Sequence, residues 1–180
     1  DILDRFFKNN DYSKIDVTET ISPSMDISVA SNFERLLYDF YLNRDSQKCS
    51  DYYTHFPSKG IKIDEKMWKK SSELFLSYSI NDDSTYECMK QFCDNFNYIM
   101  DPHTAVAAKA VIKLNNTLSN KTVILSTAHP AKFPIALENA EINLDNMPNN
   151  LEKVLNMKEV EYKLSASEDS IFNFIKEKNK

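Results

Sequence analysis

The sequence predicts an α/β protein in which a helix-rich middle precedes strand–helix units. Three observations predict it. Capped, amphipathic helical patterns fill most of the first hundred residues. A short β-branched run at residues 122–126 lies between two helical patterns, and residues 160–164 alternate apolar and polar before a last one. The bulk composition, 180 residues with 42% apolar and 27% charged, is that of a globular domain with a sizeable core.

The chain opens on Ile2-Leu3-Asp4-Arg5-Phe6-Phe7-Lys8, an amphipathic helix already under way after a first residue that is not Met; a piece of a longer polypeptide is expected. Residues 9–25 are polar and non-periodic, and Pro23 excludes a helix interior, so a loop is expected. Ser31 and Glu34 have the spacing of a capping box, in which the hydroxyl accepts a first-turn N–H and the Glu reaches back to the cap. The helix after it is expected to reach about Asn43, with Phe33, Leu36, Leu37, Phe40 and Tyr41 on one face. Asp64 is the expected cap of another, with Met67, Trp68, Leu74, Phe75 and Tyr78 as core candidates. Residues 81–84 interrupt the pattern, and residues 85–97 resume it with Met89, Phe92, Cys93 and Phe96. These two helices are expected to pair as a hairpin. Asp101-Pro102 is a cap followed by a residue suited to the first helical position, and that helix runs to about Leu114.

Residues 122–126 read as a buried strand and 134–139 as the helix after it. Residues 160–164 read as a half-buried strand. Ser165 and Glu168 read as a second capping box, opening a helix that buries Ile171, Phe172, Phe174 and Ile175. The organisation expected is a helix–loop–helix over residues 1–45, a mainly helical insertion over 46–100, and an α/β segment over 101–180.

A formal net charge of −5 argues against nucleic acid as the main partner, because a phosphate backbone needs a basic face and Lys69-Lys70 is the longest basic run. No apolar run approaches the roughly 20 residues that cross a bilayer, and no secretory signal opens the chain, so no membrane partner is expected. Cys49, Cys88 and Cys93 fit no metal-binding pair spacing. They read as reduced thiols of a cytoplasmic protein, with no metal site expected. Glycine is the outlier, since Gly60 is the only one. A glycine-rich loop that closes backbone N–H groups on a phosphate is not encoded here.

In open α/β sheets, ligands bind beyond the carboxyl ends of strands. Ser126-Thr127-Ala128-His129-Pro130-Ala131-Lys132-Phe133 occupies that position, with hydroxyls, an imidazole and an ammonium close together and Pro130 stiffening the run. Taken singly, Ser126 and Thr127 also suit a helix cap, His129 a turn, and Lys132 a solvated surface. Taken together, the eight residues resemble a signature of threonine synthases. Other blocks follow in that family's order. Asp1-Ile2-Leu3-Asp4-Arg5-Phe6 resembles the segment after the family's cofactor phosphate loop. Ser22-Pro23-Ser24-Met25-Asp26-Ile27 and Ser31-Asn32-Phe33-Glu34-Arg35-Leu36-Leu37 are similar to its next block, and Asp101-Pro102-His103-Thr104-Ala105-Val106 to a third. Where the family usually has Gly after the Ala-Val pair, this chain has Ala107.

The resemblance implies the C-terminal part of a fold-type-II pyridoxal 5'-phosphate enzyme, with the chain continuing from an N-terminal cofactor domain. The complete enzyme would convert O-phospho-L-homoserine and water to L-threonine and phosphate. Thr127 would meet the pyridine nitrogen of the cofactor, with Ser126 as the fallback. Arg35 is the natural fork for the substrate phosphate, one turn inside its helix, with Asn32, His103 and Thr104 as companions. Arg35 alone also reads as a surface ion pair. The family's Schiff-base lysine and phosphate-cradling loop belong upstream; no lysine here falls in that motif, Lys132 included. The fragment alone is expected to be inactive. Two alternatives stay open, a related fold-type-II phospholyase and a non-catalytic module derived from the family.

Overall fold

Helix α1 (Ile2–Asn9) ends where Asn10 turns into the left-handed region at φ 55°, its N–H still donating to the Phe6 carbonyl. From there the Asn10 side chain does what a strand neighbour's backbone would do. Its amide donates to the Ile63 carbonyl at 2.7 Å, and its carbonyl accepts the Ile63 N–H at 2.9 Å. Two residues on, Tyr12 and Ile61 form an isolated antiparallel bridge. The structure, a computed structural model, describes residues 1–71, 73–114, 121–145 and 147–179. It divides into two compact units, Asp1–Asp145 and Asn146–Lys180.

The first core of the larger unit is aromatic. Phe6 is fully buried, and its ring meets those of Phe7, Tyr12, Phe33 and Tyr41 edge-on, the closest being Phe33 at 4.7 Å. Tyr12 stacks on Phe33 at 4.5 Å, and its hydroxyl both donates to the Ala30 carbonyl and accepts the Ala30 N–H. Helix α2 (Phe33–Leu36) runs into a π turn (Leu37–Tyr41), so that Phe33, Leu37 and Tyr41 point inward at a spacing of four. The predicted inward face is therefore present, but the capping box is not. No side chain caps α2, and the turn is entered through the backbone bond from Phe33 N–H to the Ala30 carbonyl.

Helix α3 (Ser46–Lys59) was not singled out in the sequence; Asp45 caps it by accepting the Lys48 N–H. It ends at Gly60, at φ 66°. A Cβ on Gly60 would lie 3.0 Å from the Ser13 Cα, so the chain's single glycine is needed both for its conformation and for the approach of the residue 12–13 backbone. Helix α4 (Glu65–Ser71) has the predicted Asp64 cap, whose carboxylate accepts from Lys66 and Met67. Trp68 donates its indole N–H to the Phe6 carbonyl at 2.8 Å. The helix stops at Ser71, so Leu74 and Tyr78, expected in the core, are exposed.

The second core belongs to α5 (Asp82–Phe96) and α6 (Pro102–Leu114), which pack against each other. The hairpin expected between α4 and α5 is thus replaced. Met67 and Trp68 of α4 join the first core, while Cys88 and Met89 of α5 join Ala105 and Ala108 of α6 in the second. The small residues on α6 leave room for the larger ones of α5. Asn81 caps α5 by accepting the Ser84 N–H, so the apparent interruption is its start, and Phe96 at its last turn is exposed. Ala107 is only half-buried, which accounts for a methyl where the family usually has none. Helix α7 (Pro134–Asn139) closes this core with Ala136 and Leu137, with Phe133 packed alongside.

The two expected strands are not in a ladder among the described residues. A strand's backbone bonds form a ladder with another segment, and residues 122–126 stand in no such ladder among the described residues. Their side chains still alternate: Ile124 packs on the second core, while Val123 and Leu125 are 84% and 74% exposed. In the smaller unit, residues 160–164 are likewise outside any ladder and exposed. That unit holds α8 (Asn149–Leu155) and α9 (Glu168–Lys178). The cap of α9 is Ser167, which accepts the Ser170 N–H, rather than Ser165. Ile171, Phe172 and Ile175 of α9 are exposed instead of buried; Phe174 meets Tyr162 at 4.9 Å.

Candidate functional site

The start of α6 gathers three buried polar side chains. Asp101 is fully buried, and His103 and Thr104 are 6% and 4% exposed. As an N-cap, Asp101 does what its position requires: Oδ1 accepts the backbone N–H groups of His103 at 3.0 Å and Thr104 at 3.4 Å. It does more than cap. Oδ1 also accepts from His103 Nδ1 at 3.0 Å, and Oδ2 accepts a short hydrogen bond from the Thr104 hydroxyl. A buried carboxylate needs this many donors to offset its lost hydration.

Two loops hang on this cluster. His103 Nε2 accepts the Ser24 N–H at 3.2 Å, so that nitrogen carries no proton and Nδ1 carries it toward Asp101. Ser24 sits in the 3-10 turn Pro23–Met25, within a loop tied internally by Asp26, which accepts from both the backbone and the hydroxyl of Thr20. On the other side, the Thr104 hydroxyl spends its proton on Asp101 and accepts the Thr127 N–H at 3.3 Å. The His103 ring lies 4.8 Å from that of Phe133, at the far end of the same run.

The run itself is a turn with an open front. Ser126 and Thr127 are exposed, and neither side-chain hydroxyl has a hydrogen-bond partner among the described residues. His129 caps the 3-10 turn Pro130–Lys132, its Nδ1 accepting the Ala131 N–H at 3.2 Å; its proton is therefore on Nε2. Ala131 is buried beneath, and Lys132 is exposed.

Arg35 and Asn32 sit elsewhere in the larger unit, against the first core. Arg35 donates to Asn32 Oδ1 at 3.0 Å, and both line an open groove with Ser31, Ser46, Ser50 and Thr54. The guanidinium meets no carboxylate among the described residues, in contrast to Arg44, which is bonded to Asp39, and Arg5, which is held by Asp11 and Ser13. No hydrogen bond among the described residues joins Arg35 or Asn32 to the Asp101 cluster. The structure thus brings Thr104 to Thr127 and His103 to Phe133 of the same run, and pairs Arg35 with Asn32 separately.

Sequence reasoning identified Asp101 as a cap but not as the acceptor shared by four donors, and it passed over the Ser24 N–H. The available signal was Asp followed by Pro, His and Thr, in which three successive side chains can turn back on one cap. Cys88 lies in the second core and Cys49 lines the groove beside Arg35; both are buried, which pushes both thiols up from their usual range. Among the described residues, no group of three or more His, Cys, Asp or Glu side chains is placed to hold a metal, and no helix is long and apolar enough to cross a membrane.

A family profile described as "Threonine synthase, C-terminal" matches residues 104–175. The threonine synthase of Pseudomonas aeruginosa is 38% identical over 143 residues, covering 79% of this chain and 30% of that protein. That of Saccharomyces cerevisiae is 35% identical over 182 residues, covering 88% of this chain and 35% of that protein. Among solved structures, a threonine synthase from yeast superposes with a TM-score of 0.79 at 31% identity, over 99% of this chain and 40% of that one. A PLP-bound threonine synthase from Brucella melitensis superposes at 0.76 and 31% identity, over 88% and 34%. The chain spans about a third of the length of the curated relatives named here. It belongs to the threonine synthase family and matches that family's C-terminal portion.

Proposed function

We propose that this chain is the C-terminal part of a fold-type-II pyridoxal 5'-phosphate enzyme that converts O-phospho-L-homoserine and water to L-threonine and phosphate. The observation that carries the proposal is Thr127, whose backbone is tied to a buried cluster while its hydroxyl faces outward without a partner among the described residues. The residues present fit one end of the cofactor. A hydroxyl donates to an unprotonated ring nitrogen at little desolvation cost, whereas a carboxylate would hold that nitrogen protonated. Thr127 takes this role and Ser126 is the adjacent alternative. The other end, the phosphate cradle and the Schiff-base lysine, is assigned to the rest of the enzyme, because one glycine cannot build the former and no lysine here lies in the family's motif. When bound, the cofactor supplies an electron sink for the substrate's carbon skeleton.

The remaining residues bind and orient. Arg35, held by Asn32 and in no ion pair among the described residues, suits a bidentate grip on the substrate phosphate, with Glu34 lining the same groove. His103 and Thr104 have their polar atoms engaged within the protein, so their contribution to the substrate site runs through the residues they hold. Residues 122–126 are inferred to join a sheet whose other strands lie in the rest of the enzyme; the support is the outward Val123 and Leu125 beside an inward Ile124. The three free thiols suit a reducing cytoplasm.

Product analysis of the full-length enzyme tests the reaction: threonine and phosphate support it, while an oxo-acid and ammonia assign a phospholyase instead. Two variants test the residues. Thr127→Ala is expected to weaken cofactor binding about tenfold, the equivalent of one hydrogen bond to a polar ring atom, and to lower turnover. Unchanged affinity and rate would remove Thr127 from the site. Arg35→Lys keeps the charge but loses the fork, and is expected to raise KM at least tenfold with kcat less affected. If KM and kcat both stay within about twofold, Arg35 does not hold the phosphate.

A further inference from the structure

The cluster at the start of α6 does something that neither capping nor the proposed contacts require: it joins the turn carrying Thr127 to a single buried carboxylate. We infer that Asp101 and Thr104 are positioning residues for Thr127, acting through a one-way chain of hydrogen bonds. This rests on the reading of Thr127 as the cofactor-facing hydroxyl. The direction of the chain follows from the atoms. Asp101 Oδ2 only accepts, so the Thr104 hydroxyl must give its proton there. Its lone pairs are then left for another donor, and the Thr127 N–H is in place at 3.3 Å. The hydroxyl cannot turn away without leaving a fully buried carboxylate oxygen short of a partner. The Thr127 backbone is fixed as a result, and with it the origin of an exposed side chain that no other polar contact among the described residues restrains.

His103 gives the same carboxylate a second duty. Its proton goes to Asp101 Oδ1, leaving Nε2 to accept the Ser24 N–H. Loop 20–26 and turn 126–133 are far apart in sequence, yet both are referenced to one buried group. Hydroxyls and imidazoles that are 4–6% exposed and fully bonded inside the protein are poor ligands for a substrate and good anchors for those that reach it. A catalytic hydroxyl on a surface turn needs such an anchor, because small displacements of a binding group are costly.

The test uses the full-length enzyme and cofactor affinity, read by titrating the apoenzyme with pyridoxal 5'-phosphate and following its absorbance. Thr104→Val removes the hydroxyl at constant shape and is expected to weaken affinity about tenfold, whereas Thr104→Ser keeps the hydroxyl and is expected to stay within about twofold of wild type. On a Thr127→Ala background, Thr104→Val should add less than about twofold, because what it positions is already gone. Ile63→Ala, in the first core and outside the cluster that packs on the turn, controls for general destabilisation and should leave affinity within about twofold. If Thr127→Ala weakens binding and Thr104→Val does not, or if the two effects multiply, the positioning role is wrong and the Thr127 reading stands. If Thr127→Ala itself has no effect, both fall. A measurement on the wild-type enzyme covers the case in which Thr104→Val does not fold: the Thr127 amide should be protected from hydrogen exchange, and exchange at the rate of a free amide would overturn the inference.

Discussion

Replacing Phe6 with alanine is expected to destabilise the full-length protein by about 3–5 kcal/mol, as measured by urea or thermal denaturation. Phe6 is fully buried at the centre of the first core, with four aromatic rings around it at 4.7 to 6.2 Å. Its loss removes the transfer energy of one large ring and leaves a cavity that flat, mutually packed neighbours cannot collapse into. The edge-on geometry adds to the area effect, by about 0.5–1.5 kcal/mol for each well-formed pair. The same residue's carbonyl accepts from both Trp68 and Asn10, so the backbone is held even when the ring is removed and relaxation is further limited. Leu3→Ala, on the outer face of the same helix, should change stability by no more than about 0.5 kcal/mol. A Phe6→Ala cost below about 1 kcal/mol would mean that this core is not packed as described. The effect should reach the proposed substrate grip as well. Phe33 stacks on Tyr12 and meets Phe6, and with Glu34 it links Asn32 to Arg35 in α2's first turn, so loosening it loosens that pair.

What the sequence made legible was local. The Asp64 and Asp101 caps are present because a short acidic side chain facing the next two or three N–H groups is a purely local arrangement. The inward set Phe33, Leu37 and Tyr41 was visible for the same reason, in its spacing. The Ser31 and Glu34 spacing misled, because the backbone turn from Ala30 already enters the helix and leaves the Ser31 hydroxyl outside. The α4–α5 hairpin failed for a different reason. Proximity in sequence suggested it, whereas the ring of Trp68 was drawn to the Phe6 carbonyl and the small residues of α6 fitted α5 better. Residues 122–126 and 160–164 have the composition of strands, yet a ladder needs a second segment, and neither run stands in a ladder among the described residues. At the site, the run from Ser126 to Phe133 was legible as chemistry, but its anchor was not. Nothing at Thr104 announces that its hydroxyl points toward Thr127 rather than toward a ligand; that depends on how α6 is packed.

Asp101→Ala separates a helix cap from the hub proposed for it. If Asp101 only caps α6, its removal costs about 0.5–2 kcal/mol and Asp101→Asn is nearly neutral, since Asn caps as well as Asp. The geometry requires more. Alanine strips the acceptor from two backbone N–H groups, the His103 Nδ1–H and the Thr104 hydroxyl at once, all within a region almost closed to water. Buried donors left unpaired cost about 1–3 kcal/mol each, so the expected loss is at least about 3 kcal/mol. The Asn variant is the sharper probe. It retains Oδ1 for the cap and for His103, but sets an N–H where Oδ2 was, directly against the Thr104 hydroxyl. That hydroxyl must then turn to accept from Asn, and its own proton is left without the acceptor that fixed it. The Thr127 N–H would meet an oxygen whose direction is no longer set. Asp101→Asn is therefore expected to cost about 1 kcal/mol in stability, while cofactor affinity falls nearly as far as in Thr104→Val. A neutral Asp101→Asn variant, unchanged in both readings, would reduce Asp101 to an N-cap and leave Thr127 held by its own turn.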